Sequence, residues 1–199
     1  MAKWTAAGRA VRYVLACRGE AGIAGMPPEQ AGPIREAEQR RSAEIVGVDS
    51  VDFWDFPDSD IRDTPQLRAA IAAVLHDTRP DVVVTIHGGS EWDADQPNQR
   101  DHIEFAAAVT AAFDGLAEPD APRWLFQYGP QPTHVETVDD FVAVAVDALA
   151  AHQVYLSVLD PQTPVRRQAE QIIAMTVPVL AECRGQRVVR FRCLRGDRG

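Results

Sequence analysis

The residues best placed to do chemistry lie at the end of the run Gln96-Pro-Asn-Gln-Arg-Asp-His-Ile-Glu-Phe105, where a strongly polar stretch gives way to an apolar helix. An imidazole can lend a lone pair to a metal, and the carboxylate beside it can orient a ligand or accept a proton. His102 stands three residues before Phe105, on the apolar side of the expected helix, so its ring is expected to turn inward. A plainer role is also open. Asp101 suits an N-cap, Glu104 would complete a capping-box pair, and His102 would then be the first helical residue. One His is not a metal site, because a catalytic zinc takes three protein ligands and an open position. A replacement set would be His87, Asp93, Asp95 and His102, all from one stretch, although carboxylates in a polar loop are usually only solvated. His76 and His152 fall near helix C-termini, where a cation suits the dipole. His87 and His134 sit in loops where they could meet a substrate, with a structural or solvated role the commoner outcome for each.

Elements must hold such residues in place. Val11–Cys17, Val51–Phe56, Val82–Ile86, Arg123–Tyr128 and Val188–Leu194 read as strands. Between them Leu67, Ile71, Val74 and Leu75 repeat at helical spacing. So do Phe105, Val109, Ala112, Phe113 and Leu116, and then Phe141, Ala145, Ala148, Leu149 and His152. Thr64 before Pro65 marks a helix start, Gly32 before Pro33 a second, and Gly47 a stop. The unbroken apolar run Val82–Ile86 suits a parallel strand covered on both faces. The alternation predicts an α/β fold, and in such folds ligands bind in the loops at the carboxyl ends of the strands. Those loops follow Cys17, Phe56, Ile86 and Tyr128. Gly19, Gly22 and Gly25 follow a strand, but their Gly-x-x-Gly-x-x-Gly spacing misses the dinucleotide-binding fingerprint.

The 199 residues suit one domain, 46% hydrophobic and 25% charged, with no linker or repeat to divide them. A formal charge of -9 argues against nonspecific nucleic-acid binding, and the arginines of the last fifteen residues read as a solvated tail. No apolar run reaches membrane-span length, and three cysteines without a Cys-x-x-Cys pair argue against a disulfide framework or thiolate zinc site. A cytoplasmic location is expected.

Five segments in order now carry a resemblance: "RGEAGIAG" after a strand, "IREAEQRRSAEIVGV", "VDFWDFPDSDI", "RPDVVVTIH" and "NQRDH". Together they resemble the LmbE-like, PIG-L-type N-acetylglucosaminyl deacetylases, which include the mycothiol and bacillithiol pathway enzymes. The resemblance runs from about Lys3 to Leu159. It implies a Rossmann-like three-layer fold with a mostly parallel sheet, and a Zn2+-dependent hydrolase acting on an N-acetylated amino sugar or related amide. In that family a His and an Asp of a His-Pro-Asp-Asp motif and a His of a later His-Pro-Asp-His motif hold the metal. The other Asp of the first motif is the general base.

Carried onto this chain, the later motif falls on Gln99-Arg100-Asp101-His102. His102 becomes the third metal ligand and Asp101 a supporting carboxylate and helix cap. Gln99 stands where many members have a His that stabilises the tetrahedral intermediate, and its amide can donate a hydrogen bond but no positive charge. Arg35 and Asp58 match positions that line the substrate pocket. The string His-Pro-Asp-Asp occurs nowhere in the 199 residues, and "MAKWTAAG" reads as the last turns of a helix closed by Gly8. The resemblance therefore implies a single LmbE-like domain over 1–199, N-terminally truncated, with the first strand, two ligands and the general base missing. Residues 161–199 form a less well-matched helix and strand. Such a chain is expected to be an inactive or impaired deacetylase. The alternative is a non-catalytic sugar-binding remnant, and a homo-oligomer is compatible with either.

Overall fold

The computed structural model describes residues 1–93, 96–117 and 121–196, with Asp93 described by its backbone alone. In chain order the elements are α1 (Ala2–Ala6), β1 (Arg12–Leu15), α2 (Pro28–Ile45), β2 (Ser50–Phe53), α3 (Pro65–Thr78), β3 (Val82–Thr85), β4 (Glu91–Asp93), β5 (Gln96–Pro97), α4 (Arg100–Gly115), β6 (Trp124–Tyr128), β7 (His134–Thr137), α5 (Val142–Ala150), α6 (Gln153–Leu159), α7 (Val165–Thr176), β8 (Val179–Leu180) and β9 (Gln186–Arg195). Strands and helices alternate as expected for an α/β fold. The chain forms two compact units, Met1–Asp58 with Thr137–Val188, and Ser59–Glu136 with Val189–Gly199.

In the first unit β1 and β2 pair in parallel, Tyr13 opposite Val51. Ala43, Val48 and Val51 are buried beneath them, with Tyr13, Leu15 and Phe53 packed around. Helix α2 stops at Ile45 because Gly47, at φ +76, reverses the chain and donates its N–H to Glu44 O. A second core joins α5, α6 and α7 through Val146, Ala150, Leu156 and Ala169. Gln168, buried, shares its amide hydrogens among the carbonyls of Leu156, Asp160 and Thr163 at 2.8–2.9 Å, which ties the end of α6 to the turn before α7.

In the second unit β3 pairs in parallel with β6, and β6 pairs antiparallel with β9, on whose far side lies β7. Strand β9 begins in the first unit, where Gln186 and Arg187 pair with Leu180 and Val179 of β8. Helices α3 and α4 pack on each other, burying Leu67, Ile71, Leu75, Val109, Ala112 and Phe113. Each Leu or Phe sealed from water here stabilises the unit by about 1.5–3 kcal/mol. Thr64 caps α3 as expected, accepting the Leu67 N–H at 3.2 Å with Pro65 at the first helical position. Among the described residues β1 pairs on one side only, and so does β3.

Four local expectations need correction. Helix α2 begins at Pro28 and not at Gly32-Pro33, because Pro28 supplies a preset first turn and burial of Ala31 and Gly32 offsets the one bond that Pro33 cannot donate. The third apolar stripe is broken at Ala151, and His152 becomes the N-cap residue of α6. The segment after Ile86 contains a small hairpin, β4–β5, rather than loop alone. The Arg-rich end is largely strand, with Arg195 holding Asp114 by a two-pronged ion pair at 2.7 and 2.9 Å.

Candidate functional site

His102 occupies the first turn of α4, whose N-cap is Gln99 and not Asp101. The capping box does not form, because Glu104 instead accepts the backbone N–H of Asp63 at 2.9 Å. Asp101 stays in the first turn, where the helix dipole favours a carboxylate. Gln99 is exposed, and its backbone N–H goes to Asn98 Oδ1 at 2.9 Å.

Asn98, which no sequence motif singles out, organises this corner. Its Nδ2 donates to the carbonyls of His87 and Gly89 at 2.8 and 2.9 Å, which fixes Oδ1 as the acceptor end. That oxygen then accepts from Trp92 Nε1 at 3.0 Å and from His102 Nδ1 at 3.2 Å. With the proton on Nδ1, the neutral ring carries its lone pair on Nε2, which is how an oriented metal-ligating His is arranged. Replacing Asn98 by Ala removes all of these bonds and leaves two carbonyls unpaired. We expect a loss of about 2–3 kcal/mol in thermal unfolding, together with a change in the His102 tautomer balance read by nitrogen NMR. An unchanged spectrum would refute the orienting role.

His87 is structural. It is buried, donates Nε2–H to Glu91 O at 2.9 Å and packs on Trp92 with ring centres 4.9 Å apart. Its Nδ1 is buried without a partner among the described residues, against Gly129, where a Cβ would stand 2.9 Å away. Asp95 and the Asp93 side chain, the other members of the replacement metal set, lie outside the described residues. His134 is exposed beside Thr133.

Arg35 and Asp58 lie in the first unit and meet at one loop, the turn after β1. Asp58 Oδ2 accepts the Ala21 N–H at 2.8 Å, and Asp58 N donates to Glu20, which also accepts the Arg18 N–H. Arg35 touches the same loop at Gly19, where a Cβ would stand 3.4 Å from its Nε. From α2, Arg35 Nη1 donates to Glu38 at 3.1 Å and to His152 Nδ1 at 2.9 Å, and the guanidinium lies 4.1 Å over the Tyr155 ring. Since Arg only donates, His152 accepts, and its ring is neutral. Burial first, then the Arg35 charge, push its pKa down to about 4.

Cys17, Glu20 and Asp58 are the one group of three ligand-type residues whose donor atoms lie within 4.8 Å of one another among the described residues. Their polar atoms already hold the loop together, and burial, reinforced by Asp58 and Glu20, pushes the Cys17 thiol up to about 12. At pH 8 roughly one Cys17 in 10⁴ is a thiolate, so brief iodoacetamide treatment should leave it unmodified in the folded protein. Labelling as fast as in urea, read by mass spectrometry, would contradict this.

Residues 1–113 match the family model described as PIG-L, GlcNAc-PI de-N-acetylase. This chain belongs to the PIG-L family. It is 26% identical over 131 residues to diacetylchitobiose deacetylase of Thermococcus kodakarensis, an alignment covering 60% of this chain and 48% of that protein. The chain thus spans about half the length of that curated relative. Solved structures share its fold. The conserved protein TT1542 of Thermus thermophilus superposes with a TM-score of 0.77 at 23% identity, covering 97% of this chain and 85% of that one. N,N'-diacetylchitobiose deacetylase of Pyrococcus horikoshii, complexed with its inhibitor MPG, gives 0.77 at 18%, covering 98% and 76%.

Proposed function

We propose that the protein serves the hydrolysis of the N-acetyl group of an amino sugar or related amide by a metal-dependent deacetylase, with residues 1–199 forming one domain of that enzyme. The observation that carries this reading is His102, whose Nδ1–H is held by Asn98 so that Nε2 is the ligating nitrogen at the start of α4. Family membership and the Thermococcus relative support the reaction class and an N-acetylated sugar as substrate. Arg35, Asp58, Gln99 and Asp101 act as pocket and supporting residues.

The described residues do not fit a complete zinc site. His102 supplies one donor, and the three-residue group at Cys17 excludes it. No metal-borne step follows from these residues alone. The test is acetate release from an N-acetylglucosamine conjugate by this chain carrying an appended strand and His-Pro-Asp-Asp segment. Release that depends on His102 supports the deacetylase. Saturable sugar binding without release favours a binding protein instead.

A further inference from the structure

A recess of about 420 Å³ runs along α4 in the second unit, from Ile103 to Asp114. Its helical wall is built of small residues, with Ala106 and Thr110, and Ala107 and Ala111, one turn apart. Thr110 donates its hydroxyl to the Ala106 carbonyl at 2.9 Å, which leaves that wall essentially apolar.

The opposite wall is polar and unspent. Gln127 of β6 lines the recess at 8% exposure, and its side-chain amide makes no hydrogen bond among the described residues. Thr85 stands opposite it in the parallel β3–β6 register, so the two side chains leave the sheet on the same face. Thr85 does not satisfy the amide, because its own Oγ1 is buried without a partner among the described residues. Buried polar groups in native proteins are nearly always hydrogen-bonded, and an exception calls for a physical reason. Gly88 keeps the corner open. A Cβ there would stand 3.1 Å from Gln127 Nε2 and 2.6 Å from the Ala106 Cβ, so a side chain would press on the amide and the helix together.

We propose that this recess binds a small neutral molecule with an amide edge (an N–H beside a C=O, as in a primary amide, urea or lactam), held by Gln127. Size, charge and hydrogen-bond pattern select that chemistry. The volume lies in the range of small-molecule sites. Asp114, the charged residue of the lining, is already matched by both prongs of Arg195, so an ionic ligand gains no unpaired countercharge there. Gln127 offers a donor and an acceptor in one plane. An amide edge returns both bonds, whereas a lone ketone or ether oxygen returns one. The ligand's apolar body then lies on the alanine wall. The site is independent of the deacetylase reading, since neither His102 nor Asn98 lines it.

The test titrates nitrogen-15-labelled protein of 199 residues with benzamide, with benzoate and acetophenone as controls. The Gln127 side-chain NH2 pair, assigned by its loss in Gln127→Met, should shift with benzamide and stay in place with benzoate. Gln127→Met should bind benzamide about tenfold more weakly, the loss of two neutral hydrogen bonds. It should also melt no lower than the parent, because it removes a buried amide that has no partner. Acetophenone, which lacks the N–H, should bind the parent several-fold more weakly than benzamide. Ala107→Leu, at an exposed position of α4, should fill the recess and weaken benzamide binding with an unchanged thermal transition. Benzamide that leaves the NH2 pair unmoved, or benzoate that binds as well, overturns the proposal. So does a Gln127→Met protein that melts several degrees lower while the parent ignores benzamide, since ordered water would then be the partner of the amide.

Discussion

The 199-residue chain is expected to hold well under one zinc per molecule after dialysis. It should release acetate about 10²–10⁴-fold more slowly than the same chain carrying the appended His-Pro-Asp-Asp segment, the range that general-base help is worth. The reason is a count of donors. His102 offers one nitrogen, and a zinc held by one imidazole is in effect a solvated ion. The Cys17 group is a poor substitute, because a metal there would have to displace a thiol proton held at about 12 and break the carboxylate bonds that fold the loop. Cys17→Ser should therefore leave zinc content unchanged. In the extended chain His102→Ala should remove most of the metal, since Gln99, three residues before it, is an exposed N-cap residue whose side chain makes no capping hydrogen bond. Metal content by elemental analysis and acetate by enzymatic assay check both parts. Stoichiometric zinc with ordinary turnover in the unextended chain would defeat the argument.

The fold was legible wherever local chemistry and burial agreed. Thr64-Pro65 announced α3 because the cap and the preset proline act within one turn, and Val82–Thr85 announced a strand because an unbroken β-branched run has few other uses. Capping at Asp101 was misread because two acceptors competed. Asn98, one residue ahead of the helix cap, gathers the donors, and Glu104 is taken by a backbone group 41 residues away. The break at Ala151 was hidden for a similar reason. The apolar period runs straight through it, and what ends the helix is the demand of Glu38, far off in the chain, for the free N–H groups of a new helix end. Site residues divide along the same line. His102, Arg35 and Asp58 belong to motifs that can be read in order, whereas Asn98, Glu38 and His152 act only through contacts made by folding.

Acidification should expose the His152 contact as a loss of stability. In the folded chain the ring is neutral with a pKa near 4, against 6.5 for an ordinary His, because it is buried and faces the Arg35 cation, with Glu38 only partly compensating at 3.9 Å. The unfolded chain therefore binds the proton first. Stability from this residue is complete above about pH 6.5 and is lost as pH falls towards 4, with a limit of roughly 3 kcal/mol at 1.36 kcal/mol per pH unit. Protonation also removes the acceptor for Arg35 Nη1 and sets two cations side by side, so the anchor of the guanidinium loosens in the same interval. Carboxylates elsewhere will add their own losses in acid, so the measurement must be differential. His152→Gln keeps an acceptor for Arg35 but cannot take a proton. Denaturant titrations at about pH 7.5 and about pH 4.5 should show the parent losing about 2–3 kcal/mol more than the variant across that span. Equal losses would mean that His152 is already solvated in the folded protein, and that Arg35 is held by Glu38 and Tyr155 without it.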